Sequence, residues 1–380
     1  MTVRVVVIGA GVVGAAVAAG LARRGAAVTV LEAAHPGAGT TGTTFAWVNS
    51  ANKEPEPYFA LNHAGMRAHR ELAGGGAPWY FPTGNLERVT TDEHRAVLAA
   101  RIDRLRARDY PARRLTAAQA RELEPDLITP PGADYAFFPD EAHVLPIMLL
   151  ARLLGEARDH GAVVRTRAAV TEVDGGMVRT ADGTRHDADV VVSCVGRWTE
   201  RVAALAGAHV PMLDPDLAGS ATVGFLVTTA PLPARLSRML TTSRVNVRPD
   251  GGGRLLLHAL DLDAAADPGT PIPPDGDLAR SVTSRLSEVL AGTGGVTAER
   301  AQIGRRAIPA DGRTVAGFTD PQHYVVATHS GITLAPLLGD LVATEIFGTE
   351  SPMLAPFRPD RFANGTTFDT PLPARRPGEQ

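Results

Sequence analysis

Along the first thirty residues the apolar positions are continuous, then periodic, then continuous again. Val3 to Ile8 is, apart from Arg4, a β-branched run, Val12 to Ala22 is apolar at helical spacing, and Val28 to Leu31 is a second run followed by Glu32. Continuous runs of this length predict strands buried on both faces, and the segment between them predicts the crossover helix of a parallel βαβ unit. Helical periodicity returns at Pro57–Leu72, Asp92–Arg108 and Thr116–Glu124, where Thr116 and Gln119 have the spacing of a capping box. Pro146 opens another apolar helix to His160, closed by Gly161. A hairpin is predicted around Asp182-Gly183, between Met177–Thr180 and Asp189–Ser193, and the apolar Asp189–Cys194 run is assigned to the interior of the parallel sheet. From Val210 to about Ala301 the pattern changes to alternation, as in Thr222–Thr228 and Arg254–His258, which predicts an antiparallel sheet. Tyr324–Thr328 is again a buried strand, and His329-Ser-Gly leads from it into an apolar helix ending near Phe347.

This arrangement predicts an α/β fold. A Rossmann-type dinucleotide domain is assigned to 1–50, 145–209 and 302–362, with an inserted antiparallel β-sheet (α+β) substrate domain from 51–144 and 210–301. The polar, Pro-rich residues 363–380 are predicted disordered. Gly9, Gly11 and Gly14 stand between the first strand and the first helix. Gly9 suits a tight turn, Gly11 a close approach of backbone to a pyrophosphate, and Gly14 close packing of helix on sheet. The helix N-terminus favours the phosphates. Glu32, eighteen residues beyond Gly14, is placed to accept hydrogen bonds from ribose hydroxyls. The loop Gly39-Thr-Thr-Gly-Thr-Thr44 follows at the edge of the sheet where ligands bind.

Composition narrows the function. A net charge of −3 with no basic stripe argues against a nucleic-acid partner. The absence of any long apolar run predicts no membrane span, and with no signal-like segment at its start the chain is expected to be cytoplasmic. The single cysteine, Cys194, excludes an internal disulfide or a CxxC pair, and no metal site is predicted. Arginine is abundant, whereas Lys53 is the only lysine.

Taken in order, five pieces resemble the D-amino-acid oxidase superfamily, the group of glycine oxidase and monomeric sarcosine oxidase. They are Gly9–Gly14 with Glu32, the Gly39–Thr44 loop, Val191-Val-Ser-Cys-Val-Gly-Arg-Trp198, Arg306-Ala-Ile-Pro-Ala-Asp-Gly312, and Thr328-His-Ser-Gly-Ile-Thr-Leu-Ala-Pro336 with Gly339. The resemblance implies FAD. It would lie against Gly9, Gly11, Val12, Val13, Gly14, Glu32 and Ala33, against Thr40, Thr41, Thr44, Phe45 and Ala46 of the following segment, and against Gly196 and Trp198. Val170 would bracket the adenine. Ser330, Gly331, Ile332 and Thr333 would present a second helix N-terminus, with Arg306 nearby. Related sarcosine oxidases tether FAD through a cysteine near the position of Arg305 and Arg306, and none stands there, so non-covalent FAD is expected.

The resemblance also implies hydride transfer to flavin from a carbon bearing an amine, hydrolysis of the imine, and reoxidation by O2 to H2O2. Arg306 matches the position where relatives hold a substrate carboxylate, for which a planar guanidinium fork is suited. The family's following proline is Ala307 here, and Arg305 is an alternative for the same role. Lys53, just beyond Phe45–Asn52, would stabilise superoxide as it forms. His258 and His329, each at the end of an apolar strand, are candidates to take the amine proton. The partners expected are a small amine or amino acid and O2 or another electron acceptor. Two alternatives stand beside the oxidase: a dehydrogenase of the same fold passing electrons to another acceptor, and a flavin-binding electron carrier with no substrate of its own.

Overall fold

The computed structural model describes residues 2–363, so the expectation for the tail lies, apart from Ala363, outside the described residues. The βαβ unit is the centre of a six-stranded sheet with the order Val315–Asp320, His323–Ala327, Val190–Ser193, Arg4–Ile8, Ala27–Leu31, Val163–Arg165. All its pairs are parallel except the first, which is an antiparallel hairpin. Val5, Val7, Val28, Val30, Val192 and Val326 are buried here, in keeping with strands covered on both faces.

The hairpin at Asp182-Gly183 pairs differently from the sequence reading. Met177–Thr180 turns back onto Arg185–Asp187, and with Val170–Asp174 these strands form a separate three-stranded sheet. Val190–Ser193 instead enters the parallel sheet beside Arg4–Ile8. Polar Arg185-His-Asp187 suits an exposed edge, whereas an all-apolar strand is stable only when covered on both sides.

A second, eight-stranded sheet takes strands from two stretches of sequence, residues 85–138 and 223–305. Its pairing is antiparallel except at the junction of the two stretches, where Met239–Thr242 runs parallel to Asn85–Val89. Val223–Thr229 pairs on one side with Leu255–His258 and on the other with Ala298–Arg305. A small sheet is formed by Trp47–Val48, Ala142–Val144 and Tyr80–Phe81.

Two helices decide where the N-terminal ends point. The first helix, Val12–Arg23, crosses the last, Gly331–Ile346, with glycine against backbone on both sides. A Cβ on Gly20 would lie 2.2 Å from the Gly339 carbonyl oxygen, and one on Gly339 would lie 2.5 Å from the Ala16 carbonyl oxygen. The helix Glu56–Ala73 approaches the start of the last helix in the same way, since a Cβ on Gly65 would lie 2.6 Å from the Thr333 carbonyl oxygen. Nearby, His69 Nε2 donates to the Ile332 carbonyl at 2.7 Å, and Tyr58 and Ser330 share a hydroxyl bond at 2.8 Å. Burial holds His69 largely neutral, its pKa lowered to about 4.

Two fully buried carboxyls are treated oppositely. Burial raises the pKa of Glu87, but Arg101 and His94 outweigh it and keep the group ionised. Glu141 receives the Trp47 indole N–H at 2.9 Å and the Tyr110 hydroxyl at 3.0 Å, and burial pushes its pKa up to about 8.

Gly20→Ala should destabilise the protein by about 1–3 kcal/mol in denaturant unfolding, because overpacking of backbone against backbone outweighs the better helix propensity of alanine. A more stable variant would show that the crossing is looser than described. The folded chain keeps a proton at Glu141 that the unfolded chain releases near its ordinary value of 4.5, so this group's contribution to stability falls as pH rises from there through about 8. The melting temperature of Glu141→Gln relative to the parent should therefore increase between about pH 5 and pH 8.5, and a difference independent of pH would contradict the raised pKa.

Candidate active site

A cavity of about 420 Å3 is lined by both large sheets and by the N-terminal ends of the first and last helices. Among the residues expected from the sequence, Gly9, Gly11, Val12, Val13, Glu32, Ala33, Thr40, Thr41, Thr44, Phe45, Ala46, Val170, Gly196, Trp198 and Ser330–Thr333 line it. So do Lys53, His258, Arg306 and His329. Gly14 lies behind this wall: a Cβ there would fall 2.0 Å from the Gly9 carbonyl oxygen, so its hydrogen lets the helix start flush against the strand.

The glycine turn is shaped by close contacts. Gly9 has φ +99°, and a Cβ on it would meet the Cys194 carbonyl oxygen at 2.6 Å. Glu32 accepts from the Ala10 N–H at 2.9 Å and from the Ala34 N–H at 2.8 Å, which fixes its carboxylate at the cavity wall. The Thr41 hydroxyl accepts from the Val12 N–H at 3.1 Å, in the first turn of the helix. Its loop is tied to the second sheet by the Thr40 hydroxyl, which donates to the Arg305 carbonyl at 2.6 Å. Gly304 makes that approach possible, since a Cβ there would sit 2.4 Å from the Thr43 carbonyl oxygen. Val13 lies 3.5 Å from where a Gly331 Cβ would be, so the two helix starts meet in one wall, and two positive dipole ends favour an anion there. Trp198 is 40% exposed, with the Arg197 guanidinium 3.8 Å from its ring centroid. Cys194 also lines the cavity, and burial pushes its thiol pKa far up, which removes it as a nucleophile.

The polar wall differs from the sequence reading in its details. Lys53 is only 8% exposed and lies in the cavity wall, while its neighbours Glu54 and Glu56 are held by Arg104 and Arg108. Arg306 does not present an open fork. One terminal nitrogen donates to the carbonyls of Ala221 and Val223, and the other donates to Asp263 at 3.1 Å. Gly224 makes room for it, since a Cβ there would lie 2.7 Å from that second nitrogen. Arg305 pairs with Asp216 at 2.6 Å and donates to the Pro268 carbonyl. His258 ends its strand opposite Leu226 and has the Phe45 ring 6.1 Å away. Ala46 holds a left-handed φ of +59°, a conformation costly for a residue with a Cβ and frequent at functional sites.

Sequence reasoning did not single out several residues in or next to this wall, although Trp47 and Asn49 belong to the Phe45–Asn52 stretch. Asp263 bridges His258 and Arg306 from a 3-10 turn five residues beyond His258, a spacing that matches neither helical nor strand periodicity. Trp47 and Asn49 line the cavity, and buried Arg248 donates to the Phe45 carbonyl at 2.6 Å. In a chain rich in arginine, nothing local distinguishes Arg248 from a surface residue.

Residues 4–345 match the model of the family described as FAD dependent oxidoreductase. Glycine oxidase of Geobacillus kaustophilus (strain HTA426) is 25% identical, over 93% of this chain and 95% of its own. The oxidoreductase YurR of Bacillus subtilis (strain 168) is 24% identical, over 93% of this chain and 98% of its own. Among solved structures, glycine oxidase from Geobacillus kaustophilus superimposes with a TM-score of 0.82 at 24% identity, covering 94% of this chain and 98% of that one. L-proline dehydrogenase from P. horikoshii does so with a TM-score of 0.81 at 20% identity, covering 96% and 98%. The cradle fits the cofactor that this family uses: a carboxylate for a ribose, Cβ-free backbone for a pyrophosphate, and two converging helix N-termini. The chain belongs to the FAD dependent oxidoreductase family and is an FAD-dependent enzyme.

Proposed function

We propose that the protein oxidises the C–N bond of a small amine or amino acid and passes the electrons to O2, yielding H2O2. The observation that carries this reading is that one cavity joins the nucleotide cradle to a wall bearing Lys53, His258 and Arg306. The names of the related glycine oxidase and L-proline dehydrogenase support an amino-acid substrate.

When bound, FAD would supply the acceptor for a hydride from the carbon that carries the amine. Glu32 would hold the ribose, the Gly39–Thr44 loop and the first helix the pyrophosphate, and the Ser330–Thr333 turn would place a positive dipole end against negative charge on the ring system. Arg306, fixed by Asp263 and two carbonyls, contributes positive charge to the wall for a substrate carboxylate rather than a free bidentate clamp. Lys53 supplies a second cation, suited to stabilising negative charge as O2 is reduced. No helix among the described residues is long and apolar enough to cross a membrane.

Anaerobic addition of glycine, sarcosine and L-proline to the purified yellow protein, followed by air, tests the reading. Bleaching of the flavin by at least one amine of a wider panel, then peroxide on aeration, is expected. A flavin that no amine reduces would overturn it, and reduction without peroxide would replace O2 by another acceptor. Glu32→Arg should lose FAD readily, since each charge-assisted bond is worth about 1.5–3 kcal/mol, and acid should release FAD intact from the parent protein. Unchanged FAD affinity in the variant would remove Glu32 from the site. Lys53→Met should slow reoxidation by O2 by a factor on the order of 10²–10³ and leave anaerobic reduction nearly unchanged. Reoxidation at the parent rate in stopped flow would dismiss that role.

A further inference from the structure

Asp263 is a carboxylate that touches both His258 and Arg306, and its surroundings specify its state. His258 Nε2 lies 3.0 Å from each of its oxygens. The Phe225 N–H donates to Oδ1 at 2.7 Å, and Arg306 donates to Oδ2 at 3.1 Å. The Asp263 side chain is 12% exposed and that of His258 is 2% exposed. Burial alone would raise the carboxyl pKa, but His258, Arg306 and the Phe225 N–H outweigh it and hold the group below its ordinary value.

An ionised carboxylate only accepts hydrogen bonds, so the His258 nitrogen facing it must carry the proton. Arg306 stands 3.4 Å from the same nitrogen and is itself only a donor, so the two share Asp263 rather than bonding to each other. In a neutral imidazole with its proton on Nε2, Nδ1 is the acceptor.

We propose that Asp263 is a positioning residue of this site: it fixes His258 as the Nε2–H tautomer, making Nδ1 the proton acceptor for an ammonium substrate. The inference rests on the C–N oxidation reading. Most amines enter as ammonium ions, whose nitrogen has no lone pair to form C=N as the hydride leaves the carbon. One N–H proton passes to Nδ1, the electron pair of that bond stays on nitrogen, and His258 becomes an imidazolium facing the Asp263 carboxylate. The proton then returns to water. Arg306, Lys53, Arg197 and Arg201 are cations of the same wall, and His329 is a second imidazole among its lining residues. The cations oppose a charge on His258, and the Asp263 carboxylate offsets them.

The test needs no identified substrate. In FAD-loaded protein labelled with 15N-histidine, the His258 signals are assigned by their loss in His258→Gln, and their nitrogen shifts report the tautomer. The parent should show the Nε2–H tautomer. In Asp263→Asn, which keeps the shape and the Phe225 contact, the Nε2–H and Nδ1–H tautomers should mix. An Nδ1–H tautomer in the parent overturns the proposal even if the variant fails to fold, and so does an unchanged Nε2–H tautomer in a folded variant. With whichever of glycine, sarcosine or L-proline bleaches the flavin, Asp263→Asn should lower kcat about tenfold or more and keep KM within about twofold. Loss of stability or FAD alone, with tautomer and kcat unchanged, would mark Asp263 as merely structural. If no amine reduces the flavin while the nitrogen shifts behave as expected, the substrate reading fails and the pairing stands.

Discussion

The site depends on backbone lying against backbone where a side chain would forbid it. At the crossing of the first and last helices, Gly20 and Gly339 bring carbonyls to within 2.2 and 2.5 Å of where a Cβ would stand. Gly14 against Gly9, and Gly65 against Thr333, repeat the device at the two helix starts. Interiors are packed at crystal-like density, so displacement at such contacts moves whole helices rather than single side chains. The two N-termini are consequently held in one wall, where their dipoles add.

The electrostatics of the cavity follow from that wall. Two helix starts, Lys53, Arg197, Arg201 and Arg306 make it positive, Glu32 is a carboxylate in it, and Asp263 meets it through His258 and Arg306. Each is held by donors on its own chain: Glu32 by the N–H groups of Ala10 and Ala34, Asp263 by Phe225, His258 and Arg306. Asp263, facing His258 and Arg306, is held below its ordinary pKa where burial alone would raise it, as Arg101 and His94 do for Glu87, whereas Glu141, which accepts only from neutral donors, is raised. Such a site can bind a nucleotide, favour negative charge as it develops and move one proton, while the redox chemistry belongs to the cofactor.

The glycine oxidase and the L-proline dehydrogenase that superimpose on this chain share one architecture under different names. A fold of this kind hosts several chemistries, and the choice among them lies in the side chains around the cavity. Here the second sheet contributes His258, with Arg306 just beyond its strand Ala298–Arg305. Gly224 and Gly304 face each other across paired strands, one making room for the Arg306 guanidinium and the other for the loop at Thr43.

The sequence by itself determined the cradle. Buried parallel strands read as continuous apolar runs, Gly9, Gly11, Gly14 and Glu32 fall within one βαβ unit, and short-range geometry dictates what they can do. The capping box at Thr116 and the helix opened by Pro146 were legible for the same reason. The partner of Met177–Thr180 was not legible, because a turn signal shows where the chain reverses and not which later strand prefers burial in another sheet. The engagement of Arg306, the place of Lys53 in the wall and the contacts of Asp263 were decided only by tertiary structure. The partners of Arg306 come from strands and turns up to 85 residues away in sequence, brought together by sheet register, and no local pattern encodes such a meeting.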